Sequence, residues 1–165
     1  MTRVYVALTG VELAELATRG VLDRGSAFAV TPALRVAYAD PGVRDEEELE
    51  YVAMTVAARV SLTRLDAGDP QDRRRVVVAA DAEVNSPGDA GELAHPAQVE
   101  LVAPVPLASI ASVHLDTDDV RDLVEAAVRA LPEAAEGDES AVAVVDALDG
   151  EDLAWYATQE LDDLL

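Results

Sequence analysis

With 165 residues and a mass of 17.4 kDa, the chain has the length of one domain and can bury a single core. Its 33 acidic residues against 12 basic ones give a formal net charge of -21, which repels duplex nucleic acid and anionic membranes and argues against both as partners. The absence of cysteine excludes disulfides, thiolate catalysis and cysteine-ligated metals.

"RVYVAL" (3–8) is rich in strand formers and reads as the first strand. "TGVE" (9–12) is a capping box that opens a helix to about Arg19, with Val11, Leu13, Leu16 and Ala17 inward and Gly20 ending it. "AFAV" (27–30) is a short strand, and Thr31-Pro32 starts a brief helix over 32–39 that Pro41-Gly42 closes. The longest helical pattern is 45–65, where Leu49, Val52, Ala53, Val56 and Val60 recur at the helical period and acids crowd the first turn. After a Gly/Asp/Pro loop (66–72), "RRRVVVAA" (73–80) lacks polar alternation, the mark of a strand covered on both faces.

Residues 81–97 show no periodicity and read as an exposed loop. "QVELVAPVP" (98–106) and "SVHL" (112–115) read as strands too close in sequence for a crossover helix, and so as antiparallel neighbours. Asp118 caps a helix with Val120, Leu123, Val124, Ala127, Val128 and Leu131 as its buried stripe, which Pro132 stops or follows just beyond its end. Residues 139–148 mix helix-forming alanines with strand-forming valines, and we read them as helix. A turn at 149–152 leads to a final strand, "LAWYATQEL" (153–161), capped or edged by Gln159 and Glu160. The sum is a single α/β (or α+β) domain over 1–165, a mixed sheet of about six strands with about five helices packed on it.

Candidate chemistry is sparse. His95 lies in the irregular stretch and reads as solvent-facing without a chemical role. His114 and Asp116 sit at a strand end and are the candidate metal ligands, but a catalytic zinc takes three protein ligands and Asp118 and Asp119 suit the next helix's positive end. Arg73, Arg74 and Arg75 form the basic cluster, able to grip an anion or to neutralise nearby carboxylates. No phosphate cradle, nucleophile elbow or lysine for Schiff-base chemistry occurs, and no cofactor is expected. The sole tryptophan, Trp155, adjoins Tyr156 in the closing strand. Alternation sends the two rings to opposite faces; we expect helices to cover both, so that the rings seal the interior, and only a singly covered sheet would leave one as a binding hot spot.

The blocks "RVYVALT", "AVTPALR", "DEEELEYVAMTVAARVSL", "RRRVVVAAD", "VPLASIASVHLD" and "LAWYATQEL", in that order, resemble a functionally uncharacterised family of small acidic actinobacterial proteins over nearly the whole chain. The resemblance implies GC-rich ancestry for the arginine-only basic residues and brings no activity or site residues with it. No apolar run of signal-peptide or membrane-spanning length appears, so a cytoplasmic protein is expected. The leading functional expectation is a non-enzymatic binding or regulatory protein acting through protein contacts, with Trp155 and Tyr156 as interaction residues. The alternatives are a metal-assisted hydrolase using His114 and Asp116, or an anionic small-molecule binder using Arg73, Arg74 and Arg75.

Overall fold

A computed structural model describes residues 1–39, 45–66, 69, 73–85 and 95–165. The chain opens with β1 (Thr2–Leu8) and α1 (Gly10–Arg19), whose capping box forms as expected: the Glu12 amide donates to the Thr9 hydroxyl and the Thr9 amide to the Glu12 carboxylate. Gly20 ends α1 in the left-handed region at φ 69°. β2 (Val21–Leu22), β3 (Ser26–Phe28) and α2 (Pro32–Ala37) follow, the last capped by Thr31 with Pro32 in its first turn. α3 (Glu46–Thr63) starts at Asp45 with three glutamates in its first turn, where the helix dipole favours them. Then come β4 (Val76–Ala82), β5 (Val84–Asn85), β6 (Gln98–Leu101), β7 (Val105–Pro106), β8 (Ile110–Leu115), α4 (Arg121–Ala135), α5 (Glu139–Asp146) and β9 (Ala154–Ala157).

Seven strands form one sheet in the order β5-β6-β3-β1-β4-β8-β9, and β2 pairs with β7 apart from it. The domain is thus helices on a sheet, as expected, and every strand pairing among the described residues is antiparallel. β1 lies at the centre, paired with β4 from Thr2↔Ala82 to Leu8↔Val76. Its Val4, Val6 and Leu8 pack with Leu13 and Leu16 of α1, while Tyr5 and Ala7 pack with Leu49, Ala53 and Ala57 of α3. Covering on both faces explains why β1 and β4 carry apolar runs without alternation. A third cluster joins Leu62 and Leu65 to Val124, Ala127 and Val128 of α4 and Val145 of α5.

Several expectations change once the elements pack. On α3 the buried stripe is Leu49, Ala53, Ala57, Ala58, Ser61 and Leu62, with Val52, Val56 and Val60 at its margin. Small side chains at the centre let the helix lie close to the sheet. There Ser61 donates to the Leu8 carbonyl (2.7 Å) and accepts from the Val76 amide (2.9 Å), joining the ends of β1 and β4. Val11 on α1 and Leu123 on α4 face solvent rather than the core. α4 runs past Pro132 to Ala135, because a proline in the last turn forfeits one bond near a helix end that Gly137 then terminates at φ 89°.

The segment 98–106 is two strands, not one. β6 pairs with β3 and β5, whereas β7 leaves the sheet to pair with β2 through Val105 and Pro106. β6 and β8 are therefore not neighbours; β3, β1 and β4 lie between them. β4 extends through Ala82, and β5 falls in the stretch expected as loop. Residues 139–146 are helical, as expected. The last strand stops at Ala157, and a 3-10 segment (Thr158–Leu164) tucks Leu161 beneath the α1 face. Residues 40–44, 67–68, 70–72 and 86–94 hold the expected Pro41-Gly42 turn and much of two expected loops, and they lie outside the described residues. Among the described residues no helix is long and apolar enough to cross a membrane.

Candidate functional site

The site is built at the β8–β9 end of the sheet, on the face that α3 packs against. Directly opposed residues of antiparallel neighbours share a face. Val77, His114 and Trp155 therefore form one row and Ala79, Ser112 and Ala157 the next. Val77 and Ala79 lie beneath α3, while Trp155, two strands further out, remains 62% exposed. Its neighbour Tyr156 turns to the other face, half-buried against the α1 cluster. Trp155 thus does not seal the interior as expected; helices cover the centre of the sheet, and at β9 they leave this ring in solvent.

Among the described residues, β9 is also the end strand of the sheet. Its free edge can be read from two bonds. The Asp116 amide donates to the Arg75 carbonyl (3.3 Å), so the even-numbered residues of β8 point their main-chain groups at β4, and Val113 and Leu115 point theirs at Tyr156 and Ala154. By the same alternation Trp155 and Ala157 direct their N–H and C=O groups away from β8. The Ala157 amide indeed donates outward, to Glu160 Oε2 at 2.7 Å, so Glu160 caps the strand as expected. Trp155 presents a ring on the face and two polar main-chain groups on the edge.

The root of β9 is held rigidly. Arg75 Nε and Nη2 donate to the two carboxylate oxygens of Asp116 at 2.9 and 2.7 Å, and the Arg75 amide donates to the same carboxylate at 2.8 Å. The remaining guanidinium donors reach the carbonyls of Leu148 (3.1 Å) and Glu151 (2.9 Å), just before β9 begins. The Asp116 side chain is wholly buried. From α3, the Tyr51 hydroxyl donates to Asp152 Oδ1 at 2.8 Å, a bond that raises the phenol's pKa.

The other candidates fare as follows. His114 and Asp116 share a face, but both oxygens of Asp116 are engaged by Arg75, and His114 Nε2 lies 2.9 Å from Ser112 Oγ. Burial lowers the His114 pKa, which favours neutral imidazole. Among the described residues, no group of three or more His, Cys, Asp or Glu side chains is placed to hold a metal. The arginine triplet does not form one patch. Arg73 is buried and donates to the carbonyls of Asp66 and Asp69, Arg74 reaches the Leu164 carbonyl, and Arg75 serves Asp116. His95 is partly buried rather than solvent-facing; it accepts from the Ala97 amide through Nδ1 and lines a groove of about 490 Å³ with Phe28, Val56, Arg59, Val60 and Gln98.

A family model matches residues 2–165 from end to end. The chain belongs to DUF6912, a family of unknown function. No curated protein and no solved structure matches it. In this DUF6912 chain the features that sequence reading missed are the Arg75–Asp116 anchor and the free edge of β9. Both signals were present, an arginine before one strand and an aspartate after another. They meet only because β4 and β8 are paired, which no local pattern announces.

Proposed function

We propose that residues 1–165 act as one domain, a non-enzymatic binding or regulatory module that works through protein contacts centred on Trp155. The observation that carries this reading is the 62% exposure of the chain's single tryptophan, on an end strand whose root is locked. Leaving 62% of that ring in water forgoes roughly 3 kcal/mol of burial, taking ~200 Å² for the whole side chain and ~25 cal/mol per Å². An exposed indole on a strand anchored at its root suits recognition, because the backbone that carries it has little freedom left to lose when a partner covers the ring. Tyr156 supports the ring from behind by fixing β9 on the α1 cluster. A cytoplasmic setting accords with the cysteine-free composition, and an actinobacterial origin with the arginine-only basic residues. Nucleic acid is disfavoured as partner by the charge of -21. The metal-assisted alternative is weaker, since Asp116 is committed to Arg75.

Trp155→Ala is the test. The variant should keep its fold by circular dichroism and lose, in crosslinking from native extract, the partner that the parent chain captures. Recovery of the same partners at the same yield by folded variant protein removes Trp155 from the function.

A further inference from the structure

Resting on that reading, we infer that β9 takes up a basic, extended segment of its partner as an additional strand. Its main chain bonds to Trp155 and its cationic side chains meet the surrounding carboxylates. The first support is the alternation derived above, which turns the Trp155 N–H and C=O outward on a strand with no neighbour on that side among the described residues. A strand can add to such an edge with main-chain bonds supplying affinity and side chains supplying selectivity. The Trp155 ring stands beside the added strand, ready to cover one of its side chains.

The second support is charge, which decides between occupants. From residue 149 to the end of the described chain the charged side chains are Asp149, Glu151, Asp152, Glu160, Asp162 and Asp163, and none is basic. Glu151 and Asp152 precede β9 and Glu160 follows it, all exposed, so both ends of the edge carry carboxylates, while Asp162 and Asp163 lie on the tail that Arg74 holds through the Leu164 carbonyl. A second copy pairing antiparallel at β9 would set these two acid groups against each other, between molecules of charge -21. An acidic edge of this kind rejects self-association and attracts arginine- or lysine-bearing segments. Glu160, by holding the Ala157 amide, limits pairing to the Trp155 end and the Ala157 carbonyl.

The single tryptophan is also the reporter. Three synthetic peptides would be titrated against the full chain: alternating Arg-Val, the same peptide N-methylated on the amides of one edge, and alternating Glu-Val. Tryptophan emission and the anisotropy of labelled peptide would be read. The Arg-Val peptide should saturate and the Glu-Val peptide should not bind. N-methylation should weaken binding roughly tenfold or more, and Glu151→Gln/Asp152→Asn should weaken it by a few-fold. Equal affinity for the N-methylated peptide would reduce the effect to charge alone and overturn strand addition. A dimer in sedimentation that is lost on replacing Trp155 would overturn the choice of occupant. Absence of Arg-Val binding, with partner capture still dependent on Trp155, would defeat this inference and leave the protein-contact reading standing; if capture too is independent of Trp155, that reading falls as well.

Discussion

β1 carries one aromatic residue and β9 two, yet of the rings on their shared face Tyr5 is 7% exposed and Trp155 is 62% exposed. Both rings point to the α3 face. The difference lies in position across the sheet. β1 is central, with α1 on one side and α3 on the other, whereas β9 lies two strands beyond β4, past the width of one helix. Identical local chemistry therefore produces core in one place and surface in the other. What the comparison teaches is that a strand's inner residues are chosen by its neighbours, not by its own pattern.

The largest expected effect comes from cutting the anchor that holds β9 in place. Asp116→Ala leaves the Arg75 guanidinium buried without its carboxylate and should cost about 3–5 kcal/mol of stability in urea unfolding. A loss below about 1 kcal/mol would mean that the pair contributes no more than an exposed bridge such as Arg3–Asp81.

The adjacent rings sharpen the contrast at smaller scale. Tyr156→Ala removes a ring packed on the α1 cluster and should destabilise by about 2 kcal/mol, whereas Trp155→Ala should change stability by under about 1 kcal/mol. Equal losses in thermal unfolding would show that both rings are structural and would contradict the division of roles.

The smallest effect is set by pH. Burial lowers the pKa of His114 in the folded chain relative to its ordinary value near 6.5, so the unfolded chain binds more protons below that pH. Stability should therefore fall as pH drops from about 6.5 towards the folded pKa. Replacing His114 with Gln should flatten that part of the stability–pH curve by a fraction of a kcal/mol. An unchanged slope would assign the dependence to the partly buried His95, whose pKa burial also lowers.

Much of the element list is legible in the residues. The capping box at Thr9 and Glu12, the Thr31-Pro32 start of α2 and the acid-rich opening of α3 act within one helical turn, so their consequences are local. The site is far less legible. His114 and Asp116 are two apart on a strand and do share a face, but the fate of Asp116 depends on Arg75, 41 positions away. The three arginines look like one patch in sequence, yet strand alternation and burial send them to separate partners. Likewise 98–106 reads as one strand because the pattern cannot reveal that β7 pairs with β2.

By itself, the sequence determined the lack of cysteine and lysine, the strong negative charge, the starts of α1, α2 and α3 and the doubly covered character of β4. Each of these follows from composition or from neighbours a few residues apart. Only the tertiary structure decided that β6 and β8 lie on opposite sides of β1, that Asp116 belongs to Arg75, and that Trp155 meets solvent rather than core. Those outcomes depend on which strands pair across long separations and on how far one helix reaches over a sheet, and local propensity encodes neither.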